Sequence, residues 1–180
     1  NELDAIKKKF GRKRRTVIDN CKEAVYEEKR LEEMDVIFLM DRFGYAKTID
    51  LSAYERNKEA ADSENKFVFP CKNTGRICMF TNMGQLYTVK VQDLPFGKFR
   101  DKGIPVDNVS NFNSSQEELL LVSAQSELNL YRVIFATRMG MVKIVDGGEF
   151  DVAKRTVAAT KLQEGDSVVS VVVMKEQKNI

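Results

Sequence analysis

The stretch Val36-Ile37-Phe38-Leu39-Met40-Asp41-Arg42-Phe43-Gly44-Tyr45-Ala46-Lys47-Thr48-Ile49 decides the fold, because its pattern occurs three times. It returns as Ile77-Cys78-Met79-Phe80-Thr81-Asn82-Met83-Gly84-Gln85-Leu86-Tyr87-Thr88-Val89-Lys90. It returns again as Val133-Ile134-Phe135-Ala136-Thr137-Arg138-Met139-Gly140-Met141-Val142-Lys143-Ile144-Val145. Each copy is an apolar run, a four-residue turn ending in Gly, and a second apolar or alternating run. Such runs are strands, and the Gly supplies the positive φ that a tight hairpin requires. Three related hairpins, roughly 40 to 55 residues apart, predict an all-β protein built as an array of about three antiparallel, propeller-like blades.

The bounds agree with that reading. A chain of 180 residues buries a sizeable core, and one domain with an appendage is the natural division. No apolar run approaches the roughly 20 residues of a membrane span, so no membrane partner is expected. A start at Asn1, with no signal-peptide pattern, reads as a fragment of a longer polypeptide. Cys21, Cys71 and Cys78 lack metal-ligand spacing and read as free thiols in a reducing cytoplasm, serving as small buried hydrophobes. There is no His, which removes the commonest general base and metal ligand. Neither a phosphate-binding glycine loop nor a nucleophile elbow is present, so no active site or bound cofactor is expected in this chain.

Outward from the hairpins, Leu3, Ile6 and Phe10 form a helical stripe that Gly11 ends. Lys7, Lys8, Lys9, Arg12, Lys13, Arg14 and Arg15 crowd that end. They read either as phosphate contacts or as compensation of the helix dipole on a solvated face. Residues 14–18 suit a short strand, and 19–35 form a charge-rich connector, helical or extended. Residues 1–34 are therefore taken as the end of a connecting helix and a linker, and 35–180 as the repeat domain. After the first hairpin, residues 59–65 read as a surface loop and Lys66–Cys71 as a strand leading into the second hairpin. The second exit, Val91–Val106, alternates Lys98, Arg100 and Lys102 with Phe96 and Phe99. Glu118–Ala124 suits a buried strand. The third exit carries Lys154 and Arg155, and the strand Ser167–Met174 reads as the opening of a further blade, with the array cut short there or closed by this strand.

Net charge is only +2, so nucleic-acid binding would have to come from patches. Cations do repeat at matched positions. Arg42-x-Gly44-x-x-Lys47 recurs as Arg138-x-Gly140-x-x-Lys143, and the middle copy places Lys90 a little further on. A row of cations on successive blades suits a phosphate backbone, itself a repeating charge. The opposing reading is that exposed hairpins carry Arg and Lys to protect sheet edges. Lys98, Arg100 and Lys102 form a second candidate cluster, and Lys154 and Arg155 a third.

At these hairpins and exits the chain resembles the C-terminal β-pinwheel region of the A subunits of bacterial type IIA topoisomerases, gyrase and topoisomerase IV. The residues that carry the likeness are Asp35-Val36-Ile37, Arg42 to Lys47, Leu51-x-x-Tyr54, Phe80 to Lys90, Asp93-Leu94-Pro95, and Ala136 to Lys143. The segment Leu3 to Arg15 is similar to the end of the helix that joins the breakage-reunion core to this region. The resemblance implies four-stranded blades that exchange strands with neighbours, with double-stranded DNA on a basic outer rim. It implies no catalysis in the domain itself, which bends or captures a DNA segment for strand passage by a holoenzyme using ATP and Mg2+. The partners it implies are the rest of the same polypeptide and the separate ATPase polypeptide, in a heterotetramer of the bacterial cytoplasm, associated with the nucleoid.

One stretch departs from the family pattern. Gyrases carry a glycine-rich basic box after the first-blade exit, where this chain has Tyr54-Glu55-Arg56-Asn57-Lys58-Glu59-Ala60-Ala61-Asp62. That favours a topoisomerase IV-like domain, or a gyrase-like one that wraps DNA weakly, and the array, shorter than the family's usual five or six blades, is expected to be an incomplete or truncated pinwheel. The competing class is a propeller-like protein-interaction module without DNA binding, which the near-neutral net charge favours.

Overall fold

The computed structural model describes residues 1–12, 16 and 32–175. The strand expected at 14–18, most of the connector, and Cys21 lie outside the described residues. The chain divides into two compact units, Asn1–Arg30 and Leu31–Ile180. In the first, helix α1 (Glu2–Phe10) has Glu2 and Asp4 in its first turn and Lys7, Lys8 and Lys9 in its last. That arrangement matches the helix dipole. Gly11 follows with extended backbone, φ −63°, and donates to the Lys7 carbonyl at 2.8 Å. Glycine is needed there for close approach, since a Cβ would collide with that carbonyl.

The second unit runs β1 (Asp35–Asp41), β2 (Tyr45–Asp50), α2 (Leu51–Arg56), α3 (Lys58–Glu64), β3 (Asn65–Lys72), β4 (Arg76–Thr81) and β5 (Gln85–Lys90). It continues with β6 (Phe96–Gly97), β7 (Ile104–Pro105), β8 (Leu119–Ala124), α4 (Gln125–Leu128) and β9 (Arg132–Thr137). Last come β10 (Val142–Asp146), β11 (Thr156–Ala158) and β12 (Val168–Met174). The three repeated stretches are the antiparallel hairpins β1–β2, β4–β5 and β9–β10. Each turns on a glycine of positive φ: Gly44 (83°), Gly84 (70°) and Gly140 (83°). In each, the glycine amide donates to the carbonyl three residues back, at 3.0 to 3.3 Å.

A third strand pairs antiparallel with the first strand of each hairpin: β3 with β1, β8 with β4, and β12 with β9. The segment Ser167–Met174 therefore supplies the third strand of blade 3, as β12, and does not open a fourth blade. The reason is the shared slot, since β12 occupies on β9 the edge that β3 takes on β1 and β8 on β4. The apolar alternation shows a strand but not the edge it will find.

The fourth strand comes from the neighbouring blade. The exit of the second hairpin returns to blade 1, where β6 and β7 both pair with β2. The exit of the third hairpin returns to blade 2, where β11 pairs with β5. Among the described residues, β10 receives no such strand.

Blade faces are shared as well. Val36, Phe38 and Met40 of β1 pack with Ile77 and Met79 of β4 and Val122 of β8 in one core. Cys78 and Phe80 of β4 pack with Val133 and Phe135 of β9 and Val171 of β12 in another. The centre of this second core is an edge-to-face cluster in which Phe80 lies 5.7 Å from Phe135 and 5.0 Å from Phe150. Blade 2 is thus covered on both faces, which explains why β4 reads as an unbroken apolar run. Cys71 and Cys78 are buried, and burial pushes their thiols up to about 11 and about 12.

The first exit differs from expectation. Residues 59–65 are not a loop, because α2 and α3 occupy Leu51–Glu64. The segment has no β-branched residue, Gly or Pro, and the Asp50 carboxylate accepts from the Ser52 amide at the start of α2. Ala61, with Ala53 and Tyr54, packs on Ile37, Leu39 and Ile49 and closes the outer face of blade 1. The matching face of blade 3 stays open, with Val142 65% and Val172 52% exposed.

Two glycines at the same turn position differ in surroundings. At Gly140 a Cβ meets nothing within 4 Å, whereas at Gly84 it would stand 2.8 Å from the Thr160 carbonyl oxygen. Chemical denaturation should show Gly140→Ala losing about 1–2 kcal/mol from left-handed strain alone. Gly84→Ala should lose clearly more, because the donated segment must also move. Equal losses would contradict the exchange at Gly84.

Candidate nucleic-acid interface

The strand exchange rests on one hydrogen-bond pattern used twice. In blade 1 the Val106 amide donates to the Gly44 carbonyl (3.0 Å) and the Thr48 amide donates to the Pro95 carbonyl (2.9 Å). In blade 2 the Ala159 amide donates to the Gly84 carbonyl (2.8 Å) and the Thr88 amide donates to the Arg155 carbonyl (2.9 Å). The buried Thr48 and Thr88 hydroxyls add bonds to the Pro95 and Lys154 carbonyls. Arg76 also donates to the Val152 carbonyl at 2.7 Å. The donated segments are therefore pinned along the outer edges of β2 and β5.

These pinned segments carry five of the predicted cations. Lys98, Arg100 and Lys102 are exposed on the segment that edges blade 1, and Lys154 and Arg155 on the one that edges blade 2. Ile104 lies opposite Ala46 as Val157 lies opposite Leu86, so Lys102 and Arg155 each precede an equivalent position by two residues. Lys102 also stacks its ammonium 4.8 Å from the Tyr45 ring centroid. Beside this edge, Lys98, Arg100 and Arg56 of α2 line a cleft of about 710 Å3 floored by Phe96 and Phe99. Arg56 is not among the predicted contacts. Its stretch reads as acidic, and only the helix turns this one cation toward the rim.

The remaining predicted residues lie elsewhere. Arg42 and Arg138 are exposed at the tips of their hairpins, where Arg42 shares a cleft of about 420 Å3 with Lys102, Asp41 and Glu64. Lys90 ends β5 at the opposite end from its tip. Lys143 is exposed on β10. Lys47 is the exception. Its ammonium donates to the carbonyls of Phe99 (2.5 Å) and Asp101 (2.8 Å), and burial lowers its pKa against the pull of Asp101, Glu64 and Asp41. Among the described residues, none of these cations forms an ion pair.

Exchanged strands, shared cores and a repeated hairpin define a blade-repeat domain of the β-propeller class. Comparison with known proteins places it more narrowly. The sequence model for the DNA gyrase C-terminal domain, beta-propeller, matches residues 75–113 and 131–173, the second and third repeats. The chain is 27% identical to the A subunit of DNA gyrase from Neisseria gonorrhoeae across 94% of its own length. It is 26% identical to the same protein from Streptococcus pyogenes serotype M3 across 99%. It spans only 20% and 23% of those relatives. Among solved structures, the C-terminal domain of a DNA topoisomerase IV superposes with a TM-score of 0.67 and 24% identity, over 79% of this chain and 46% of that one. The E. coli ParC C-terminal domain gives 0.60 and 17%, over 79% and 57%. The chain is thus similar in sequence to the C-terminal domain of DNA gyrase A subunits and similar in fold to the C-terminal domains of topoisomerase IV and ParC.

In blade 2 the position equivalent to Lys47 is Tyr87. Its hydroxyl donates to Glu117 (2.5 Å), whose other oxygen accepts from Thr81 (2.5 Å). Burial, with the Glu117 carboxylate, pushes the Tyr87 phenol from 10.0 to about 12. The folded state then holds this proton after the unfolded chain has lost it. The stability involved is complete below pH 10 and is lost as the pH rises towards 12. Thermal melts between pH 10 and 12 should show a steeper decline in the wild type than in Tyr87→Phe. Parallel declines would remove Tyr87 from the account.

Proposed function

We propose that this domain binds double-stranded DNA without sequence preference, along the outer edge built by the donated segments. The observation that carries the reading is the exposure of Lys98, Arg100, Lys102, Lys154 and Arg155 on two donated segments, each anchored by backbone pairing to the outer edge of the preceding blade. Cations on segments anchored to a blade edge meet a phosphate backbone together, and such contacts give affinity without base readout. Arg42, Lys90, Arg138 and Lys143 extend the charge around the hairpins, and Arg56 joins the blade 1 cluster.

The domain then acts as the non-catalytic part of a type IIA topoisomerase. It bends or captures a DNA segment and presents it for strand passage. The rest of its own polypeptide and a separate ATPase polypeptide, working with ATP and Mg2+ in the bacterial cytoplasm, supply the chemistry. A topoisomerase IV-like role is favoured by the first exit, where two helices stand in place of a glycine-rich basic loop. Backbone without glycine cannot approach phosphate as closely, and Asp62 is occupied by the Tyr54 hydroxyl at 2.9 Å.

Fluorescence anisotropy with a short random-sequence duplex across a salt series tests this. The wild type should bind with a steep negative salt slope. Replacing Lys98, Arg100, Lys102, Lys154 and Arg155 together by Gln should flatten the slope by about 0.9 per lost phosphate contact. Unchanged affinity and slope would reject the donated segments as the interface. Absence of binding at low salt would reject DNA as the partner.

A further inference from the structure

We infer that Lys47 is a positioning residue, whose ammonium clasps the loop of residues 98–102 and sets where Lys98, Arg100 and Lys102 present their charges. The inference rests on the DNA-binding reading above. Its starting point is a difference between the two donated segments. In blade 2 the chain passes directly from Arg155, bonded to Thr88, into β11. In blade 1 the Thr48 amide is taken by Pro95, and the chain then loops outward before it rejoins the edge at Ile104. That extra loop holds all three blade 1 cations.

The loop has little of its own to hold it. Lys98 and Asp101 bond to each other through the Asp101 amide (3.0 Å) and carboxylate (2.7 Å), closing a turn that lies free of the β2 ladder. The bonds from Lys47 attach that turn to the blade. The ammonium donates to Phe99 and Asp101 and lies 5.3 Å from the Phe99 ring centroid. Two of its three N–H groups are thereby spent on protein carbonyls. A phosphate contact by Lys47 itself would have to break them. Lys143 matches Lys47 in sequence, yet it is exposed on β10, which receives no donated strand among the described residues. Equal positions in the repeat therefore do unequal work.

A double-mutant cycle tests the assignment, using the full chain and a random-sequence duplex. Lys47→Met keeps the aliphatic stem and removes the clasp. It should weaken binding about fivefold in the wild type. It should have almost no effect where Lys98, Arg100 and Lys102 are already Gln, because positioning matters only while the loop carries charge. Equal losses in both backgrounds would make Lys47 a phosphate contact in its own right and overturn the inference. Hydrogen exchange, read without DNA, judges the clasp separately. Amides 98–103 should exchange faster in Lys47→Met while those of β4 and β8 stay protected, and unchanged exchange at 98–103 would overturn the clasp. Failure of the wild type to bind DNA at low salt would instead overturn the DNA reading, and with it any part Lys47 plays there.

Discussion

The outer edge of each hairpin's second strand is the constraint on which this structure depends. An edge strand carries a row of backbone N–H and C=O groups that must find partners. Here the partner is a segment of the next repeat, received at Gly44 and Thr48 in blade 1 and at Gly84 and Thr88 in blade 2. The glycine serves twice: it makes the turn, and its carbonyl accepts the incoming amide. No blade before the third is complete by itself. Since the faces also interleave, with β1 against β4 and β4 against β9, stability is a property of neighbouring blades together.

The same constraint builds the surface that carries charge. A hairpin exit could have been a free loop. Because it is captured by the preceding blade, its cations are held near that blade's outer edge, between or beside backbone anchors at Pro95, Ile104 and Val106 in blade 1 and at Arg155 and Ala159 in blade 2. Fold and candidate interface thus share one cause, which is the exchange.

Much of this was legible in the sequence and some was not, for physical reasons. The hairpins, their glycines and the buried strand β8 follow from period and turn chemistry, which are local. The place of β12 and the destinations of β7 and β11 are decided by pairing across many residues, which periodicity cannot express. The helices α2 and α3 were hidden because only Ala53, Tyr54 and Ala61 give them an apolar face, too sparse to mark a stripe. At the candidate interface, repetition marked Arg42, Lys47, Arg138 and Lys143 as equivalents. The structure keeps Arg42 and Arg138 at equivalent tips but separates Lys47 from Lys143, because among the described residues loop carbonyls take up the ammonium of Lys47 alone. Arg56 joins the cluster through helix geometry alone.

Backbone hydrogen exchange of the chain, alone and with a saturating random-sequence duplex at low salt, tests the central claim most directly. The account predicts that DNA slows exchange chiefly in residues 95–106 and 152–160, the two donated segments, with smaller changes at the hairpin tips. Protection confined to the tips, or to the helices on the outer face of blade 1, would contradict it.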